Sequence, residues 1–221
     1  MNENILLYFS EEEFALMMEL AGGKEYSLFL TEPKLDERSL SAALVRLYRR
    51  GLLLRAGDSF ILSESGAFFR ELRNAARIVL FRAEYPEQKT VLFYASDQSC
   101  WAAELQNGSR DERYRIRTMS VNEIRSWLLD MRILPMPQLE EADTAEIRAI
   151  LRGELERIPD ISADVTICIQ DHDCGAWQRY ELYSEPEDLL VCERADGKRD
   201  VRLYTREAFR DMLQQCFGGN I

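Results

Sequence analysis

The residues best equipped for chemistry are those of the run Asp171-His172-Asp173-Cys174, which contains the single histidine of the chain. A neutral imidazole, carboxylates and a thiolate are all competent ligands for zinc or a related ion. A metal site needs three or four of them converging, however, and adjacent residues of a strand point to opposite faces. With Gly175 following, the run reads more simply as a polar hairpin turn, and no metal is expected.

The cysteines stand at positions 100, 168, 174, 192 and 216. A cysteine nucleophile needs a base, and His172 lies only two residues from Cys174, too local for the usual pair assembled by folding. Cys100, Cys168 and Cys192 sit in apolar, strand-like runs, where a small buried thiol is ordinary packing. Cys216 follows Gln214-Gln215 near the end of the chain. An odd, scattered set suits a reducing compartment, so a cytosolic (cytoplasmic) location is expected. The eleven glycines are dispersed, and none of the spacings that let backbone N–H groups surround a phosphate occurs. No catalytic residue and no cofactor is therefore expected, and an enzyme is the third choice among the functional readings.

Composition sets the frame for those residues. The 221-residue chain is 46% hydrophobic and 30% charged, with 39 acidic and 28 basic side chains and a formal net charge of −11. Such a chain can bury a core, and its summed charge opposes approach to nucleic acid or anionic lipid. No secretory leader pattern is read at Met1-Asn2-Glu3-Asn4, and no apolar run reaches the roughly 18 residues of a membrane span, so no membrane partner is expected.

The N-terminal third reads as helices and one hairpin. Ser10 opens a capping box with Glu13, and Phe14, Met17, Met18 and Ala21 recur at helical spacing before Gly22-Gly23. A second helix follows Asp36, with Leu40, Ala43, Leu44 and Leu47 as its apolar stripe and Gly51 past its end. Leu52–Arg55 and Ser59–Leu62 flank Ala56-Gly57-Asp58 as a two-stranded wing. Ser63 is expected to cap a third helix running to about Arg73. This order over residues 5–75 resembles a winged helix, whose second long helix would lie in the major groove. Arg38, Arg46, Arg49 and Arg50 are then the DNA-binding candidates, with Arg55 also within reach of phosphates. Against that use, residues 1–75 carry nine basic and twelve acidic side chains, and the wing tip bears Asp58.

Beyond Asn74 the period shortens toward two. Ile78–Phe81, Thr90–Tyr94, Cys100–Leu105 and Tyr114–Arg117 read as strands, and Ser120 and Glu123 open a helix burying Ile124, Trp127, Leu128 and Met131. Pro135 and Pro137 close this part. Residues 140–157 read as a helix that is acidic at its start. The last segment repeats the order, with strands near Val165–Ile169, Trp177–Tyr183, Leu189–Glu193 and Val201–Tyr204. A helix starting at Thr205 then carries Phe209, Met212, Leu213 and Phe217. Glu104-Leu105-Gln106-Asn107-Gly108 corresponds in this repeat to Glu193-Arg194-Ala195-Asp196-Gly197. The tryptophans and most tyrosines fall at core spacing. The expected fold is α+β, in four parts: a winged-helix-like segment at 1–75, a sheet-plus-helix unit at 76–137, a helical linker at 138–160 and a second sheet-plus-helix unit at 161–221. The two related antiparallel units are expected to lie pseudo-twofold about a central sheet.

The run Leu44-Val45-Arg46-Leu47-Tyr48-Arg49-Arg50-Gly51-Leu52, the Phe14–Leu20 helix before it, Gly57-Asp58 with Leu62–Leu72 after it, Arg77–Phe81 and Tyr114–Leu129 together resemble the EspG-like chaperones of bacterial type VII secretion systems. The resemblance covers roughly residues 1–135. It implies two related α/β halves around a central sheet and a non-enzymatic protein that binds the exposed tip of a helical secretion substrate. A helical protein is then the expected partner, and nucleic acid is a partner only under the alternative of a winged-helix transcriptional regulator with a C-terminal sensing or dimerisation part. The polar loops offer Tyr85, Glu87, Lys89, Ser109 and Arg110 as partner-binding residues.

Overall fold

In the computed structural model, the residues described are 6–22, 36–84, 87–96, 99–106, 113–138, 153, 162–171, 176–184 and 189–218. They form a mixed α+β structure with a large antiparallel sheet and a few helices. The chain divides into two units: Met1–Ala75 with Trp101–Thr118, and Ala76–Cys100 with Met119–Ile221. Residues 76–137, read from sequence as one unit, thus contribute to both.

The first unit begins with strand β1 (Leu6–Phe9) and helix α1 (Glu11–Leu20). Ser10 and Glu13 form the expected capping box, and three glutamates occupy the first turn, where the positive helix end favours them. Helix α2 (Glu37–Arg49) starts where Asp36 accepts a hydrogen bond from Ser39 N at 2.7 Å. Strands β2 (Leu53–Ala56) and β3 (Ser59–Leu62) pair in the register Leu53↔Leu62 to Ala56↔Ser59. Their two-residue turn places Gly57 at φ +64°, the conformation a type II′ hairpin requires at its first central position.

Ser63 does not cap the third helix. Its hydroxyl donates to Gly51 O at 2.6 Å and accepts from Gly66 N at 3.1 Å, and helix α3 (Phe68–Arg73) begins after Ala67 without a side-chain cap. The cause is a close backbone approach. Gly66 lies against the Leu52 carbonyl, where a Cβ would come within 2.3 Å of the oxygen, so the chain turns tightly here before it can wind into a helix.

Strands β6 (Cys100–Leu105) and β7 (Tyr114–Met119) complete this unit, in the order β1-β7-β6. Phe9 and Phe14 meet Phe69 edge to face, and Phe14 stacks on Tyr114 at 4.5 Å between ring centres. Trp101 stacks on Phe68 and donates from Nε1 to Glu71 Oε2 at 3.0 Å. With Met17, Leu47, Leu53 and Leu72 fully buried, these rings are the core of the unit.

The second unit holds β4 (Arg77–Ala83), β5 (Lys89–Ala95), β8 (Val165–Asp171), β9 (Trp177–Tyr183), β10 (Leu189–Arg194) and β11 (Arg199–Leu203), in the order β5-β4-β8-β9-β10-β11. Every pairing is antiparallel, including β4 with β8 from Arg77↔Asp171 to Ala83↔Val165. Leu189 to Cys192 are all buried, which explains why β10 reads as a continuous apolar run: both of its faces are covered. One face carries the cluster of Tyr183, Leu189, Val191 and Val201.

Helices α4 (Val121–Asp130) and α5 (Arg206–Phe217) belong to this unit, capped by Ser120 and Thr205 as expected. Phe217 packs on Phe81 and Phe93, and Phe93 meets Trp127. Phe209, Met212 and Leu213 are buried on the same helix. Trp177, by contrast, is 42% exposed. The helix expected at 140–157 lies outside the described residues, Gly153 apart.

Candidate functional site

Charge distribution on the first unit decides which of its residues are free to meet a partner. Glu13 is buried, and its carboxylate faces α2. Oε1 accepts from Arg46 Nε at 2.7 Å, and Oε2 accepts from Arg50 Nη1 at 3.0 Å. Arg50 also donates to Tyr8 O at 2.7 Å and lies over the Phe9 ring, 4.7 Å from its centre. Arg46 and Arg50 therefore point their guanidinium groups back at the protein, where the capping box has already fixed the acceptor. Arg38 and Arg49 remain exposed on α2, while Arg55 donates to Gly57 O within the β2–β3 hairpin.

The same arrangement recurs twice. Glu104 on β6, 5% exposed, lies 3.7 Å from Arg115 and 2.8 Å from Arg117, both on β7. Glu181 on β9 lies 2.5 Å from Arg179 and 3.6 Å from Arg199. Each glutamate thus holds two arginines close to the sheet or helix surface. Six guanidinium groups are paired with carboxylates in this way, Arg46 and Arg50 among them.

Apolar exposure is distributed differently. Val45, Tyr48, Leu54 and Ile61 are each about half exposed, at 49%, 51%, 51% and 48%, and all four belong to α2 or the β2–β3 hairpin. Val45 and Tyr48 are three apart on the helix, so they share a face. Leu54 and Ile61 are direct cross-strand partners, so they share a face of the hairpin. Leu6 and Tyr8 on β1 of the same unit are also exposed. Sequence reasoning named the arginines of this segment and passed over these residues. Two signals were available: Val45 stands off the Leu40-Ala43-Leu44-Leu47 stripe, and Leu52-Leu53-Leu54 cannot all face inward on a strand of period two.

Of the loop residues proposed for partner contact, Tyr85, Ser109 and Arg110 lie outside the described residues. Glu87 is exposed and lies 3.8 Å from Lys89. Lys89 is turned inward, its ammonium donating to Met131 O at 2.7 Å at the end of α4. The Asp171-His172-Asp173-Cys174 run is described only at Asp171, which accepts from Arg77 Nε at 2.7 Å. Among the described residues no group of three or more His, Cys, Asp or Glu side chains could hold a metal ion, and no helix is long and apolar enough to cross a membrane. Burial raises the thiols of Cys100 and Cys216 well above the ordinary thiol value.

Compared with known proteins, the chain matches no protein-family model and no curated sequence.

Proposed function

We propose that the protein is a non-enzymatic chaperone or adaptor that binds a helical protein partner through the outer faces of α2 and the β2–β3 hairpin, in a winged-helix-like segment used for protein contact. The observation that carries this reading is the concentration of half-exposed Val45, Tyr48, Leu54 and Ile61 in a single unit of a chain whose net charge is −11. Val45 and Tyr48 on α2 and Leu54 with Ile61 on the hairpin are two exposed apolar pairs that favour a partner able to cover them, and strong net charge limits self-association meanwhile. An amphipathic helix supplies a matching row of apolar anchors at i, i+3 and i+4. Similarity to the EspG-like chaperones supports a helical secretion substrate as that partner. The repeat of sheet and helix, with the antiparallel β4–β8 pair at its centre, belongs to the same proposal, as does a cytoplasmic location.

A winged-helix DNA-binding regulator is the second reading, supported by exposed Arg38 and Arg49 on α2. The two separate in one experiment. A photo-crosslinking amino acid at Tyr48 or Ile61, introduced in cells of the source organism, is expected to trap one helical protein, and Val45→Glu is expected to abolish the adduct. Loss of adduct at both positions, together with a salt-dependent, sequence-selective DNA mobility shift that Arg49→Ala removes, would overturn the adaptor reading in favour of the regulator.

A further inference from the structure

The second unit contains a cavity of about 380 Å³ that the partner surface above does not use. Ile133, Leu134, Val165, Leu182 and Tyr204 line it, all of them buried. The Tyr204 hydroxyl donates to Pro135 O at 3.2 Å, so the walls present mostly carbon. The volume is that of a small-molecule site, which typically spans roughly 300–1,000 Å³.

One cation stands at this cavity, and the backbone beneath it is unusual. Arg132 follows α4 in the left-handed conformation, φ +53°, and is the single non-glycine residue with positive φ among those described. Ile133 N donates to Leu128 O at 2.9 Å and Arg132 N to Leu129 O at 3.0 Å, the two bonds of a Schellman motif. Glycine is the usual residue there, and any other costs about 1 kcal/mol. The helix does not need this arginine to neutralise its negative end, because Lys89 already donates to Met131 O at 2.7 Å. Arg132 is exposed and makes no side-chain hydrogen bond or ion pair with the described residues. The acid Asp164 also lines the cavity, with its Oδ2 accepting from Ser184 N, on the same wall, at 2.7 Å.

We infer that this cavity binds a small carboxylate with an apolar body. The hydrocarbon would lie among Ile133, Leu134, Val165, Leu182 and Tyr204, and the carboxylate would pair with the forked guanidinium of Arg132, a geometry suited to bidentate hydrogen bonding. A strained arginine at a position built for glycine is then retained for the ligand rather than for the fold. This inference is independent of the partner-binding reading.

The probe is decanoate below its micelle concentration, with 1-decanol as the neutral comparison, titrated into the full chain by calorimetry and thermal unfolding. Decanoate is expected to bind and raise Tm, and decanol to bind about tenfold more weakly or worse, because it lacks the charge-assisted pair. Arg132→Gly is expected to raise the Tm of the ligand-free chain while weakening decanoate by about tenfold or more. Arg132→Lys should bind decanoate more weakly than the unaltered chain and more tightly than Arg132→Gly, because it keeps the charge and loses the bidentate fork. The inference falls if decanoate does not bind the unaltered chain, if decanol binds as well as decanoate, or if Arg132→Gly binds decanoate undiminished.

Discussion

Arg50 and Glu13, 37 residues apart in the chain, meet with Nη1 and Oε2 at 3.0 Å, and the same carboxylate oxygen accepts the Ser10 backbone N–H at 3.2 Å. One glutamate therefore closes the N-terminus of α1 and joins α1 to α2. The local cap fixes the acceptor, and the tertiary pair uses it. Replacing Glu13 by Gln keeps an oxygen able to complete the cap, removes the charge and turns an NH2 donor toward Arg46. Because Arg46 and Arg50 remain partly exposed, solvent screens part of the attraction, and the expected loss is about 1–2 kcal/mol. Urea unfolding of Glu13→Gln and Glu13→Ala checks this, with the alanine variant the less stable of the two.

Gly66 is required by space rather than by φ. A methyl group there would lie 2.3 Å from the Leu52 carbonyl oxygen and 3.0 Å from the Met17 methyl. Backbone must move to admit it, so Gly66→Ala should destabilise by about 1–3 kcal/mol. At Gly153, a helical position where a Cβ meets nothing within 4 Å, the same substitution should leave the denaturant midpoint unchanged or raise it. Equal midpoints for the two variants would refute the argument.

Trp101 contributes both a stacked ring and a donor, reaching Glu71 from Nε1. Trp101→Phe keeps the stacking on Phe68, loses the hydrogen bond and leaves a void, for an expected cost of about 1–2 kcal/mol. Glu71→Gln retains an acceptor and should cost less. Thermal unfolding of the two variants orders them.

The buried thiols and phenols set the alkaline limit of the fold. Burial raises Cys100 and Cys216 from an ordinary value of 9.0, and pushes Tyr114 and Tyr183 up to about 12. These groups stay protonated when folded at a pH where they ionise in the unfolded chain. Their contribution is fully present below the unfolded values and is lost as pH rises past about 9 for the thiols and 10 for the phenols. The urea midpoint should therefore fall progressively above pH 9. At pH 8 an alkylating reagent should spare Cys100 and Cys216 in the native chain and modify them after denaturation.

Local signals in the chain placed most of its elements, strand β1 excepted. The capping boxes at Ser10 and Ser120, the Asp36 and Thr205 caps, and the Gly57 hairpin are decided within four residues, by hydrogen-bonding and steric preferences that act before any tertiary contact forms. Alternation marked β7 and β8, whose residues are buried in turn, and short continuous apolar runs marked β5, β6 and β10, which are buried on consecutive residues. What sequence could not decide was the partnering of charges across long separations. Whether Arg46 and Arg50 face a ligand or Glu13 depends on how α1 and α2 pack, and Lys89 reaches Met131 only once β5 and α4 are brought together. Ser63 shows the same limit, since its hydroxyl is claimed by Gly51 O, twelve residues away, instead of by its own helix. Exposure of Val45, Tyr48, Leu54 and Ile61 was set by which face each element turned inward, a choice that periodicity narrows and only packing completes.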